Sequence, residues 1–157
     1  MKTTPFIAAL GAAAIATGIA VLPASGQGQP ATRILTVVST QKSSDTKYVD
    51  TKPKGPSVGD EFFLSSLLHS DGKVSGRLEG YCVLQDKTYK AQHCMLTAIL
   101  ADGRITLQGA GLDKKVAGIG TDEVYAITGG TGVYVGAGGT MTRKGNGKTD
   151  TLTFTLE

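Results

Sequence analysis

A chain of 157 residues with 16 Lys+Arg, 13 Asp+Glu, 22 glycines, two cysteines and no tryptophan holds the material of one domain. At 40% hydrophobic and 18% charged residues it can bury one core, which excludes a disordered or collagen-like chain. A net charge of +3 is too small to mark a nucleic-acid groove, so no nucleic-acid partner is expected.

Residues 1–26 read as an export signal. Lys2 supplies the charged start, an Ala/Gly/Ile run from Phe6 to Leu22 the apolar middle, and Ala24 and Gly26 the small residues before a cleavage point near Gln27. The rival is a retained anchor, but the run falls just under the roughly 18 to 20 residues that span a bilayer and is rich in weakly apolar Ala and Gly. Stable membrane insertion is therefore not expected. No cysteine follows the run, so a lipoprotein anchor is not expected either. The predicted mature unit is a single domain, 27–157, secreted to the extracellular side. It keeps all but three of the 22 glycines, about twice the usual share. Cys82 and Cys94 both survive processing and would meet an oxidising compartment, where pairing is the default.

Turn chemistry divides this unit into strands. Ile34 to Val38 is β-branched and apolar. Residues 41–57 are mostly Lys, Ser, Asp, Thr, Pro and Gly, which predicts a long flexible loop. Val58 to His69 is apolar and ends at Asp71-Gly72, a pair suited to a two-residue hairpin. Asp102-Gly103 and Asn146-Gly147 repeat that signal, and Gln85 to Thr88 gives a weaker reversal. Near the end Leu152, Phe154 and Leu156 alternate with Thr151, Thr153 and Thr155, the period of a half-buried strand. Phe62 to Leu68 has a second reading as a short helix. Eight or nine short strands joined by hairpins predict an all-β antiparallel barrel or sandwich. A closed barrel of about eight strands removes the exposed edges and leaves room for side chains or one small ligand.

Candidate chemistry is sparse. Cys82, Cys94, His69 and His93 are the soft metal ligands, without metal-binding spacing, and His93 and Cys94 point to opposite faces of one strand, so no metal site is expected. The same parity argues against a Cys94/His93 nucleophile pair. Both cysteines fall on the apolar faces of neighbouring strands, and a disulfide within this hairpin and two buried thiols both stay open. Gly55-Pro56-Ser57-Val58-Gly59 matches the G-x-S-x-G elbow of serine hydrolases but lacks its strand-turn-helix context. Gly129-Gly130-Thr131-Gly132 superficially suggests a phosphate loop, yet no Lys-Ser/Thr and no helix follow, so a turn is expected. Asp60, Glu61, Glu79, Asp122 and Glu123 lie nearest apolar strands and are expected mostly as solvated rim charges.

The segment from Tyr125 through Gly129-Gly130-Thr131-Gly132 to Tyr134 resembles the signature of plant allene oxide cyclases and dirigent proteins, an apolar strand running into G-G-[ST]-G. Gly59-Asp60, Gly80-Tyr81-Cys82-Val83, Ile105 to Gly109 and Thr153 to Leu156 resemble cyclase segments in the same order. The resemblance implies an eight-stranded up-and-down β-barrel, often trimeric, that folds a hydrophobic reactive molecule without a cofactor. Its interior would be lined by Phe62, Leu64, Ser66 and Cys82, with Cys82 free or tied to Cys94, and Gly129, Gly130, Thr131 and Gly132 would form the signature turn. Cys82 matches the cyclase pocket cysteine. Leu64 and Ser66 stand where the cyclases carry Phe and Asn, the tyrosine after Q-G falls near Gly111, and Leu35 to Thr40 has no acid where the cyclases carry Glu. Allene oxide cyclisation itself is therefore not expected. Two readings remain: a secreted barrel that binds a small, largely apolar metabolite and promotes its cyclisation or isomerisation, and a non-catalytic carrier or extracellular module.

Overall fold

Alternation of inward apolar and outward polar side chains, with tight turns between, organises the chain into one continuous antiparallel sheet that closes on itself. The computed structural model describes residues 31–41, 45–51, 53–88, 90–111, 123–145 and 148–157. The expected leader, 1–26, and the Asn146-Gly147 turn lie outside them. Nine strands follow in order: β1 (Arg33–Thr40), β2 (Thr46–Val49), β3 (Glu61–Ser70), β4 (Lys73–Asp86), β5 (Ala91–Leu100), β6 (Gly103–Gly111), β7 (Glu123–Gly132), β8 (Gly139–Gly145) and β9 (Thr149–Leu156). From β3 to β9 each strand pairs with the next, β9 pairs with β1, and β1 returns to β3.

Closure decides between the barrel and the sandwich. β1 lies along the later half of β3, with Thr40 opposite Leu67, and β2 lies along its earlier half, with Thr46 opposite Leu64. The two run in the same direction on one edge, so together they act as one interrupted strand, and the wall has eight positions. The result is an all-β, eight-stranded antiparallel up-and-down barrel. Phe62 to Leu68 is strand, not helix, because both edges of β3 find partners.

Two sequence expectations change. The polar stretch 41–57 is not all loop: Thr46 to Val49 is drawn into the sheet by the free edge of β3, which offers backbone hydrogen bonds whatever the side chains. At the β5–β6 hairpin the turn residues are Ala101 and Asp102, since Leu100 pairs with Gly103. Asp71 (φ 50°) and Gly72 (φ 75°) do form the two-residue turn between β3 and β4, a left-handed pair that Asp and Gly tolerate best.

The core fills one end of the barrel. Leu68, Ala98, Ile105, Met141, Leu152 and Phe154 have no solvent exposure, and Ile127, Leu156 and Tyr134 pack with them. Burying a Leu, Ile or Phe of this kind stabilises the fold by about 1.5–3 kcal/mol. Tyr134, on the segment between β7 and β8, closes this floor, and the Arg33 guanidinium lies 5.5 Å from its ring centroid. The opposite end, where β6 ends and β7 begins, carries the connection from β2 to β3 and is open. Among the described residues no helix is long and apolar enough to cross a membrane.

Candidate functional site

Towards the open end the inward positions stop filling the barrel and leave a cavity of about 640 Å³. That volume lies within the ordinary range of small-molecule sites. Its lower wall is Leu78, Leu96, Met141 and Leu152. Above them the lining divides into two arcs. Strands β4 and β5 contribute Cys82, Leu84, Cys94 and Leu96, a largely apolar arc that also includes Gln92. Strands β7, β8, β9 and β1 contribute Glu123, Tyr125, Arg143, Asp150 and Ser39, a polar one. Phe62, Leu64 and Ser66 of β3 join the two.

The apolar arc is tied by a disulfide. Cys82 lies directly opposite Cys94 in the β4–β5 register, both side chains point inward, and their sulfurs are bonded. In the chain-entropy picture a link closing a loop of this size contributes about 3 kcal/mol.

On the polar arc, side chains from three strands interlock. Arg143 donates from Nη1 to Glu123 Oε2 (2.6 Å) and from Nη2 and Nε to Asp150 Oδ2 (2.8 and 2.9 Å). Tyr125 donates its hydroxyl to the same Glu123 oxygen at 3.2 Å. Burial works against the Arg143 charge, but Glu123 and Asp150 outweigh it and hold its pKa above the ordinary value. Burial, then the Glu123 charge, pushes the Tyr125 phenol well above its usual range, so it stays protonated and remains a donor. These groups converge by strand parity. Glu123 precedes Tyr125 by two positions, Arg143 follows Met141 by two and Asp150 precedes Leu152 by two, so each shares a face with a core residue.

A second polar centre organises the mouth. Asp60, 1% exposed, accepts five hydrogen bonds: from the Tyr48 hydroxyl, from the Thr51 amide and hydroxyl (2.9 and 2.8 Å), and from the Ser57 amide and hydroxyl (2.8 and 3.0 Å). The Tyr48 hydrogen bond leads in holding the Asp60 carboxyl far below the usual range, against the opposing effect of burial, with Ser57 and Thr51 adding to it. The same hydrogen bond, then burial and the Asp60 charge, pushes Tyr48 up to about 12. Asp60 thereby pins the connection from β2 to β3 beside the opening, where Tyr48 and Pro56 face the cavity.

The structure sorts the candidates. Phe62, Leu64, Ser66, Cys82 and Cys94 all lie on the cavity wall. Gly129, Gly130, Thr131 and Gly132, expected as a turn, are instead the last residues of β7, paired with β6 at the other end of the barrel, and the turn follows at 133–136; a Cβ on Gly130 would come within 2.4 Å of the Tyr134 carbonyl oxygen. That segment shapes the floor and is remote from the site. Ser57 of the G-x-S-x-G match is spent on Asp60. The histidines are engaged elsewhere, His69 with Thr40 (3.0 Å) and His93 with Gln108 (2.9 Å), so no nucleophile-base pair forms around Ser57. Among the described residues no group of three His, Cys, Asp or Glu could hold a metal. Asp60 and Glu123, expected as rim charges, are a buried hub and a cavity carboxylate. Their alternation with core residues was the available signal, masked by their positions at strand beginnings. Glu79 is on the outer face, 2.6 Å from Arg77. Asp122 lies outside the described residues.

The sequence profile of the family described as "Allene oxide cyclase barrel like domain" matches residues 37–153. The chain belongs to this family. A search of curated proteins finds no match. Among solved structures, a pyocyanin demethylase superposes with a TM-score of 0.68 at 25% identity, covering 80% of this chain and all of that one. An exo-specific intermolecular Diels-Alderase, AbnU, gives 0.62 at 18% identity over 80% and 98% of the two chains. A pterocarpan synthase dirigent protein gives 0.60 at 15% over 80% and 83%. The last two likenesses concern the fold.

Proposed function

We propose that the protein is an exported barrel that binds a small, largely apolar metabolite and promotes its cofactor-free cyclisation or isomerisation. The observation that carries this reading is the 640 Å³ cavity with the interlocked Glu123, Tyr125, Arg143 and Asp150 set on one arc at the open end. The apolar arc and floor would exclude water and limit the conformers of a flexible or reactive molecule, which lowers the entropic part of a cyclisation barrier. Glu123 is the proton acceptor: it would take a proton from one position of the ligand and return it at another, so an isomerisation balances without a second reactant. Tyr125, kept neutral, and Arg143 hold that carboxylate in place. The neighbouring barrels, whose names describe reactions of small organic molecules, support the same direction. Export is supported by the Cys82–Cys94 disulfide, which fits an oxidising compartment.

The carrier reading needs an inert cavity. It accounts less well for an interlocked Glu, Tyr, Arg and Asp set on one arc. The experiment is to secrete the protein from its full-length sequence in its native host, extract it with organic solvent and identify the released molecules by mass spectrometry, then follow conversion of the recovered compound or its precursor. A Glu123→Gln protein is expected to bind the compound and lose about 10²–10⁴-fold in conversion. Undiminished conversion by Glu123→Gln removes Glu123 from the chemistry, and a recovered compound that neither form converts establishes the carrier.

A further inference from the structure

The hydrogen-bonding capacity left open in the cavity specifies the kind of molecule it takes. Asp60 is saturated by five donors, and Arg143 has turned Nε, Nη1 and Nη2 to its two acids. Glu123 receives both of its donors on Oε2, and among the described residues none reaches Oε1. Ser66 and Ser39, only 4% and 5% exposed, line the cavity with hydroxyls that have no hydrogen-bond partner among the described residues. Among the described residues no side-chain polar atom without accessible surface is left unpaired, so these cavity-lining hydroxyls keep some surface open. Ser39 is the cross-strand partner of Asp150, which sets it on the same arc as the Arg143 cluster. The facing arc is Leu84, Leu96 and the disulfide, with Gln92, opposite Leu84 in the register, as its one polar side chain among the described strand residues.

We infer that the ligand is a neutral compound with one oxygenated edge and one hydrocarbon edge. A hydroxyl or N–H on that edge donates to Glu123 Oε1, further oxygens meet Ser39 and Ser66, and the hydrocarbon edge lies against the disulfide and leucines. This rests on the barrel being a small-molecule site and narrows what enters it. An anionic edge is disfavoured because the polar arc carries two formal negative charges against one positive, and Arg143 has already committed three of its donors. Lys87 and Lys90 stand exposed on the rim, where water screens them.

Four naphthalene probes of one shape test this: 2,7-dihydroxynaphthalene, 2-naphthol, 2-naphthoate and naphthalene, titrated into the secreted protein at neutral pH with fluorescence readout. The diol is expected to bind most tightly. 2-Naphthol should exceed naphthalene about tenfold, the yield of one hydrogen bond to a charged acceptor, and 2-naphthoate should bind no better than naphthalene. Glu123→Gln should remove most of the naphthol advantage, and Ser66→Ala should cut the additional gain of the diol about fivefold or less, both leaving naphthalene unchanged. Tightest binding by 2-naphthoate, or a naphthol advantage that survives Glu123→Gln, overturns the inference. Naphthalene binding equally with both hydroxylated probes defeats it while sparing the small-molecule site. Failure of all four to bind defeats both.

Discussion

The closed and open ends of this barrel are made from opposite ends of the same strands and have opposite chemistry. At the closed end the turns at Asp71-Gly72 and Ala101-Asp102 are two residues long, Tyr134 plugs the floor, and Ile105, Ile127, Phe154 and Leu156 fill the interior. At the open end the inward positions carry Glu123, Arg143, Asp150 and Asp60 beside an unfilled volume. At the closed end packed apolar side chains exclude water; at the open end the charged groups compensate one another. Apolar packing is thus concentrated at one end and the unfilled volume with its charged groups at the other.

That contrast can be broken in graded ways. The largest effect is expected for Phe154→Ala at the closed end, where the side chain has no exposure: a loss of about 3–5 kcal/mol in denaturant unfolding, with the order of probe affinities unchanged in whatever remains folded. Replacing Cys82 and Cys94 together by Ala should cost about 3 kcal/mol and, because the pair lies in the cavity wall, also weaken ligand binding. A melting curve with both cysteines replaced that overlays the wild type would show that the open end does not depend on this tie.

Smaller effects sharpen the comparison through pH. Tyr48 has its folded pKa raised to about 12, so its hydrogen bond to Asp60 contributes stability that is complete below the unfolded value of about 10 and is lost as pH rises towards 12. Unfolding of Tyr48→Phe should therefore lose less stability across that window than the wild type, read from midpoints at a series of alkaline pH values. Asp60 has the opposite sign. Its lowered carboxyl contributes above the unfolded value of about 4 and is lost as pH falls towards the folded one, so Asp60→Asn should flatten the acid limb. The least effect is expected for Val135→Ser, 77% exposed beside the floor: within about 0.5 kcal/mol, because its side chain is already in water.

Local patterns carry much of this fold in the sequence. The alternation in Thr151 to Leu156, the Asp71-Gly72 turn and the inward parity of Cys82 and Cys94 follow from the two-residue period of a strand and from left-handed backbone preferences. The resemblance around Gly129 to Gly132 identified the family, though those glycines serve the floor; their requirement is the close approach of Tyr134. Phe62, Leu64, Ser66 and Cys82 were reached because they lie in apolar strands matched to the family. Glu123 and Asp60 were not, since an acid at the start of a strand reads as a rim charge until the neighbouring strands show which way it faces.

What the sequence by itself determined is therefore the antiparallel all-β class, the Asp71-Gly72 turn and the inward face of residues such as Cys82, Cys94, Leu152 and Phe154, all set by interactions between near neighbours. The tertiary structure alone decided that β1 and β2 share one edge of β3 to close the barrel, and that Glu123, Arg143 and Asp150 meet. The reason is physical: closure and ion pairing depend on distances between strands far apart in the chain, and those distances are set by the registers of the whole sheet.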